Sequence, residues 1–329
     1  MRAITYSSLG AAAAVLVEEE VATPQPQSGE VLVRLHASAV NPSDVKVRAG
    51  QRSGASAMPF PKIIPHSDGA GVIEAVGDNV DEKRIGERVW IWNGQWKRAF
   101  GTAAEYICVT QDQAVPLPAS TSFETGAALG IPGLTACHCI FGDGDISDKT
   151  ILISGGGGTV GNLAVQMAHA GGARVLATAS GEDNIKRVKS AGADHVFDYK
   201  NPNLADEILD ATGGSFIDRI IEVEFGKNAD TNAKVIKENG RIISFGSAQD
   251  MTPTLPFYPL LFKAVKLEFV LVYLLTADQR KKAISRLHRL LNADQLQVPV
   301  QKIYDLSDCA AAHQAVEAGS RSGTVVLKI

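Results

Sequence analysis

An apolar run, Thr150-Ile151-Leu152-Ile153-Ser154, ends in four successive glycines, Gly155 to Gly158, followed by Thr159, Val160 and Gly161. Gly156, Gly158 and Gly161 have the spacing that joins a strand to a helix around a pyrophosphate. The first glycine permits a tight turn, the second lets the backbone approach the diphosphate, and the third lets the helix pack on the strand. The flanking pattern agrees. Val160, Leu163, Ala164, Met167 and Ala168 recur at helical spacing, Gly171-Gly172 stops the helix, and Arg174 to Thr178 reads as the next strand. A bound dinucleotide is expected, held by Gly156, Gly158, Thr159, Val160 and Gly161. The plainer alternative, a glycine-rich loop in some other α/β protein, does not account for the full order of strand, turn, helix and strand.

The second strand says which dinucleotide. A site for the unphosphorylated cofactor usually carries an acid about 20 residues after the first glycine, on the ribose hydroxyls. Here the strand ends Ala177-Thr178-Ala179-Ser180, and Glu182 and Asp183 come only later. Ser180 can donate to a 2′-phosphate, and Lys186, Arg187 and Lys189 follow in the next helix. Those bases also fit a solvated helix face. NADP(H) is the expected cofactor.

A chain of 329 residues exceeds the usual size of one core, so two domains are expected. With 45% hydrophobic residues and a net charge of −4, it has the composition of a globular protein without global attraction for nucleic acid or anionic membrane. Met1 to Gly10 does not read as a targeting peptide, and Arg2 to Thr5 reads as a first strand. Lys263, Lys266 and Glu268 interrupt the best apolar stretch, so no membrane span and a cytoplasmic location are expected. Cys108, Cys137, Cys139 and Cys309 form no disulfide framework. Cys137-His138-Cys139 has the look of a metal clip, but residues two apart on a helix point away from each other.

Along the chain, Val31, Val33 and Leu35 alternate with Leu32, Arg34 and His36, and Ile64 to Val76, Arg88 to Trp92 and Glu105 to Val109 read as strands between turns. This is a β-rich part. From Ser122, helices and strands alternate: 150–154, 160–170, 174–178, 182–191, 195–197, 203–211, 217–223, 228–238 and 241–245. That is the pattern of a parallel, doubly wound sheet. Lys266 to Tyr273 reads as a strand, Ala277 to Leu291 as an amphipathic helix, and Val325 to Ile329 as a last strand.

Further segments make the reading specific: Asn41-Pro42-Ser43-Asp44 with Arg48-Ala49-Gly50; Pro65-His66-Ser67-Asp68-Gly69-Ala70-Gly71; Ala127 to Ala136 (AALGIPGLTA); and Ala191 to Phe197 (AGADHVF). With the glycine loop, they resemble the medium-chain dehydrogenase/reductase superfamily, and within it the zinc-independent quinone oxidoreductases of zeta-crystallin type. The resemblance runs nearly end to end. It implies an α/β fold: a β-rich, GroES-like catalytic domain, discontinuous over 1–122 and 275–329, and a doubly wound Rossmann cofactor domain over 123–274. The active site is expected in the cleft between them.

The same resemblance assigns residues. Zinc-dependent members hold their metal with a Cys, a His and a later Cys; the matching positions here carry Asn41, His66 and Ile131, and Ser67 replaces the Glu after the histidine. A catalytic zinc needs three protein ligands, so no metal is expected and His66 reads as a hydrogen-bonded core or cleft residue. Without a Lewis acid, a quinone or conjugated enone is the acceptor that weak donors can serve, because its product anion is delocalised. Asn41 and Thr135 match residues near the nicotinamide, and Asp44 is expected to bond the loop that presents Asn41. Tyr199 matches a residue at the adenine end, and Gly246 a position where the chain passes the nicotinamide. Lys46 and Arg52 stand where bacterial relatives often carry tyrosines, and Asn184 where they often carry a lysine for the 2′-phosphate.

The resemblance thus implies an NADPH-dependent quinone oxidoreductase working by direct hydride transfer to a small-molecule quinone or enone. Two alternatives stand beside it. One is an enoyl-thioester or alkenal reductase, for which Lys46, Arg48 and Arg52 would supply a basic entrance. The other is a crystallin-like structural or RNA-binding protein that keeps NADPH, against which the acidic balance argues. Glu268 to Leu275 reads as a long apolar edge strand, which relatives pair across a two-fold axis, so a homodimer or homotetramer is expected.

Overall fold

A computed structural model of the chain describes residues 1–51, 57–319 and 322–329. The chain opens with β1 (Arg2–Thr5), α1 (Ala12–Val15), β2 (Val17–Glu20), β3 (Glu30–Val40), α2 (Pro42–Arg48), β4 (Asp68–Val76), β5 (Arg88–Ile91), β6 (Tyr106–Thr110), β7 (Ala114–Pro116) and α3 (Phe123–Gly126). There follow α4 (Leu134–Phe141), β8 (Thr150–Ile153), α5 (Thr159–Ala170), β9 (Arg174–Ala179), α6 (Glu182–Ser190), β10 (His195–Asp198), α7 (Leu204–Ala211), β11 (Ile217–Glu222), α8 (Phe225–Val235), β12 (Ile236–Ser244), α9 (Phe257–Phe262), β13 (Lys266–Phe269) and α10 (Ala277–Asn292). It closes with β14 (Val300–Asp305), α11 (Cys309–Glu317) and β15 (Thr324–Lys328). Two compact units result: Met1–Pro132 with Val298–Ile329, and Gly133–Gln297.

In the first unit, β3 is the long central strand. It pairs antiparallel with β15, β4 and β6 in a sheet of order β14-β15-β3-β4-β5-β7. Its alternating Val31, Val33 and Leu35 pack with Ile73, Val89, Ile91, Ile107 and Val109 in one apolar cluster. A second cluster forms where α11 sets Cys309, Ala312 and Val316 against Ile4, Val40, Val45, Ile64, Val325 and Leu327. Between them, α2 starts abruptly at the end of β3. Asn41 is its N-cap, Pro42 stands at the first helical position, and Asp44 closes a capping box.

In the second unit, six parallel strands run in the order β10-β9-β8-β11-β12-β13. Leu152, Leu176, Ile208, Ile217, Ile220, Phe225, Val235 and Ile242 fill one core of this sheet. The chain builds outward from β8 toward β10, then returns to lay β11 on the other side of β8. A switch point of this kind leaves a crevice outside the carboxyl ends of the strands.

Several expectations shift. The unit boundaries fall at 132/133 and 297/298, rather than at 122/123 and 274/275. Phe123 of α3 stacks on His36 of β3 at 4.4 Å and lies under the Arg88 guanidinium, which ties α3 to the first unit. At the other end, α10 packs on α4 and so stays with the second. The strand expected over 266–273 ends at Phe269. After the Val270 N–H reaches Ser244 O, β12 offers no further partner, and Val272–Leu274 turns into a 3₁₀ helix. The helix expected over 228–238 stops at Val235, because Ile236 already pairs with Ile217.

Candidate active site

The glycine loop lies at the carboxyl end of β8, with Gly158 as the N-cap of α5. The left-handed turn falls on Gly155 (φ 68), one residue before the expected Gly156. Gly155 N–H donates to Thr178 Oγ1 and Gly156 N–H to Thr178 O, which fixes the loop to β9. Gly156 is constrained instead by packing: a Cβ there would meet Val188 Cγ1 at 3.0 Å. At Gly161 a Cβ would lie 2.2 Å from Gly155 O, so the first turn of α5 can approach the loop only as glycine. At Gly158 a Cβ would find nothing closer than Gly155 O at 3.5 Å, so the loop is open on this side. Thr159, Val160 and Gly161 form the first turn of the 12-residue α5 beside that opening, the end of a helix that favours an anion.

The other cofactor candidates line the same edge of the sheet. Ser180 is half-buried just after β9, and its carbonyl accepts from Asn184 Nδ2 at 3.0 Å. Asn184 thus caps the turn instead of leaving it to a lysine. Arg187 donates to Asn184 Oδ1 and to Gly157 O, both at 2.7 Å, placing a guanidinium beside the loop. Lys186, the base singled out from the sequence, stands exposed on α6. Tyr199 is exposed after β10, and Gly246 follows β12, where its carbonyl accepts from Phe225 N–H. One feature escaped the sequence reading: Asn228 bridges Ser154 Oγ after β8 and Glu222 Oε1 at the end of β11, on either side of the switch point.

In the first unit, Asn41 is nearly buried between two carboxylates. Its N–H donates to Asp44 Oδ2 at 2.7 Å, and its side-chain amide donates to Asp68 Oδ2 at 2.9 Å. Ile131 N–H donates to the same Asp68 oxygen at 2.8 Å, and among the described residues Asp68 Oδ1 is buried without a partner. Burial pushes the Asp44 carboxyl up to about 7, against the hydrogen bonds from Asn41. Burial, with the nearby Asp44 charge, pushes Asp68 well above the carboxylate range. Asp68 was not singled out from the sequence. Its register opposite Ala39 in the β3–β4 pair brings it to Asn41, and no local pattern encodes that. Thr135 lies buried in the first turn of α4, in the second unit.

The basic loop resolves differently from expectation. Arg48 is fully buried, donating to Gly10 O and to Glu317, so it supplies no basic entrance. Lys46 is exposed, and Arg52 lies outside the described residues.

Residues 27–119 match the alcohol dehydrogenase GroES-like domain, and residues 159–289 match the zinc-binding dehydrogenase domain. Over 247 residues the chain is 36% identical to the quinone oxidoreductase of Rattus norvegicus, covering 75% of this chain and 73% of that protein. The chain belongs to the zinc-independent quinone oxidoreductase family. Solved structures share the whole architecture. An NAD-dependent alcohol dehydrogenase superposes with a TM-score of 0.90 at 29% identity, covering 100% of both chains. A mycobacterial protein complexed with NADPH superposes with 0.87 at 27%, again over 100% of both.

Like other members of this family, the chain does not fit a catalytic zinc at the positions where alcohol dehydrogenases hold it. Asn41 and Asp68 are committed to each other, Ile131 contributes only its N–H, and no thiol is among them. His66 turns its ring elsewhere, to Ser38 Oγ and His313 Nε2, both at 2.9 Å. The Cys137-His138-Cys139 segment is no clip either. Cys137 Sγ donates to Ala283 O, while His138 Nε2 lies 3.6 Å from Glu268.

Proposed function

We propose that this chain is an NADPH-dependent quinone reductase that acts on a quinone or a conjugated enone without a metal. The observations that carry the reading are an open glycine loop in the second unit and, in the first, an Asn41–Asp68 cluster that has no zinc donors. Bound NADPH supplies the hydride. Gly156, Gly158, Thr159, Val160 and Gly161 would hold its pyrophosphate, Ser180 with Arg187 or Lys186 its 2′-phosphate, and Tyr199 and Gly246 its two ends. The strand tip at Ser180 has no carboxylate to bond ribose hydroxyls, which supports NADPH over NADH.

Asn41, held from both sides by Asp44 and Asp68, is a pre-oriented amide, and Thr135 a buried hydroxyl. Such donors stabilise a delocalised product anion without a Lewis acid. An enoyl-thioester reductase loses support because Arg48 is buried rather than available to a thioester's anionic tail. A purely structural role is separated by turnover.

The four cysteines are free and buried, which fits a reducing compartment, and we place the protein in the cytoplasm. Among the described residues no helix is long and apolar enough to cross a membrane. We further propose self-association through the β13 edge. Phe262 (80%), Phe269 (71%), Leu274 (63%) and Leu271 (45%) are exposed on this short stretch, and clustered exposed apolar side chains favour association.

The test is NADPH oxidation by the chelator-treated protein with a quinone, an enone and a simple ketone. Quinone or enone reduction with the ketone inert is expected. Fast ketone reduction with the other two inert would overturn the reading.

A further inference from the structure

We propose that His66, Cys309 and His313 form a buried site for a soft monovalent cation, copper(I), inside the first unit. The Nε2 atoms of the two histidines face each other at 2.9 Å, and Cys309 Sγ lies 4.0 Å from His66 Nε2. All three donor atoms are within 4.8 Å of one another, and none of the three residues is more than 1% exposed. A trigonal ion about 2.0 Å from each nitrogen and about 2.3 Å from sulfur needs N–N and N–S separations of roughly 3.5 and 3.7 Å. The cluster reaches that geometry when the rings part by about half an ångström.

Three features of the fold converge on this arrangement. Cys309 and His313 are four residues apart on α11 and so share one face. His66 meets them from a left-handed backbone (φ 76), a conformation that residues with a Cβ rarely adopt. Third, the tautomer of His66 follows from its neighbours. Thr102 Oγ1 donates to Asp68 O, so it accepts from the Ser38 hydroxyl. Ser38 Oγ is then left to accept from His66 Nδ1–H. The His66 Nε2 lone pair therefore points into the cluster, held by an outer hydrogen bond as metal-ligating histidines usually are. Among the described residues His313 Nδ1 is buried without a partner, so it can take up the ring proton while Nε2 faces the cluster.

Charge and softness select the ion. One thiolate and two imidazoles are the donors of trigonal copper sites. Copper(I) with one thiolate is net neutral and needs no fourth ligand. Zinc(II) would leave a net positive charge in the core beside Arg48, and would require a fourth donor. Binding forms the Cu–S bond as the Cys309 S–H bond breaks, and that proton leaves to solvent. The proton shared between the two Nε2 atoms moves to His313 Nδ1. No oxidation state changes.

The experiment uses the reduced full chain, titrated anaerobically with copper(I) against a bathocuproine competitor, with zinc(II) and cobalt(II) in parallel. One copper(I) per chain is expected to leave the competitor, with affinity rising about tenfold per pH unit as one proton is released. Cys309→Ala should lose about 100-fold or more in affinity, while Cys137→Ala binds as the unmodified chain does. Should Cys309→Ala fail to fold, X-ray absorption of the loaded unmodified chain decides, with two nitrogens and one sulfur expected around copper. Failure of the unmodified chain to take copper(I), uptake unchanged in Cys309→Ala, or tight zinc(II) binding with weak copper(I) would each overturn the proposal.

Discussion

The side-chain amide of Asn41 donates to Asp68 at 2.9 Å, and Asp68 accepts through that same oxygen from Ile131 N–H. Its other oxygen has no partner among the described residues, and burial pushes its carboxyl well above the usual range. Burial thus favours the uncharged form of Asp68, and a neutral amide of the same shape is the variant that tests it. Asp68→Asn should fold with stability within about 1 kcal/mol and keep most quinone turnover, whereas Asp68→Ala strands two buried donors and should lose about 2 kcal/mol or more. Chemical denaturation of both variants checks this; a severe loss in Asp68→Asn alone would show that the carboxylate is needed ionised.

Asp44 gives a stability effect with a defined sign. Its folded value of about 7 lies above the unfolded value near 3.9. Between these values the folded chain holds a proton that the unfolded chain has lost. Stability from this group is therefore complete below about pH 4 and falls as pH rises to about 7, by up to about 4 kcal/mol. Asp44→Asn should flatten that decline. Denaturation midpoints of both proteins at pH 5, 6, 7 and 8 measure it, and parallel curves would contradict it.

Two glycines should separate folding from binding. Gly161→Ala sets a Cβ 2.2 Å from Gly155 O and should destabilise the loop, weakening NADPH at least tenfold together with a lowered Tm. Gly158→Ala meets only an atom 3.5 Å away. It should leave Tm within a degree or two and still weaken NADPH about tenfold, by obstructing the pyrophosphate. Fluorescence titration with parallel thermal melts reads both; equal Tm losses would defeat the distinction.

Ser180→Asp puts a carboxylate where the 2′-phosphate is proposed to lie. NADPH affinity should fall about 10- to 100-fold while NADH affinity changes little. Dissociation constants for both cofactors test it. Equal constants in the unmodified protein would remove its basis.

The edge of the second unit gives the assembly test. Val270 and Val272 are buried within the chain, at 9% and 5% exposure, so charging either one would test folding rather than association. Phe262→Glu and Leu271→Lys act on the exposed face. Each should shift the native mass toward monomer in sedimentation equilibrium without lowering Tm by more than a few degrees. An unmodified chain that is monomeric at micromolar concentration would exclude the interface.

Local pattern was enough wherever the physics is local. The glycine spacing marked the loop and α5, because the closest approach there, of Gly161 to Gly155 O, spans only six residues. Asn41-Pro42-Ser43-Asp44 likewise marked the start of α2, since a capping box closes within one turn. The strand alternation marked β3 to β6, and the absence of a carboxylate at the tip of β9 pointed to the cofactor.

Long-range register decided the rest. Asp68 becomes the partner of Asn41 only through the pairing of β4 with β3, 27 residues back along the chain. Arg48, read as a surface base, is drawn inside because Gly10 O and Glu317 converge on it from distant segments. His66 was readable only as one solitary ligand. The two residues that give it company, Cys309 and His313, stand on a helix 243 and 247 positions away that no strong periodicity announced. A sequence displays neighbours along the chain, and burial, pairing and protonation depend on neighbours in space.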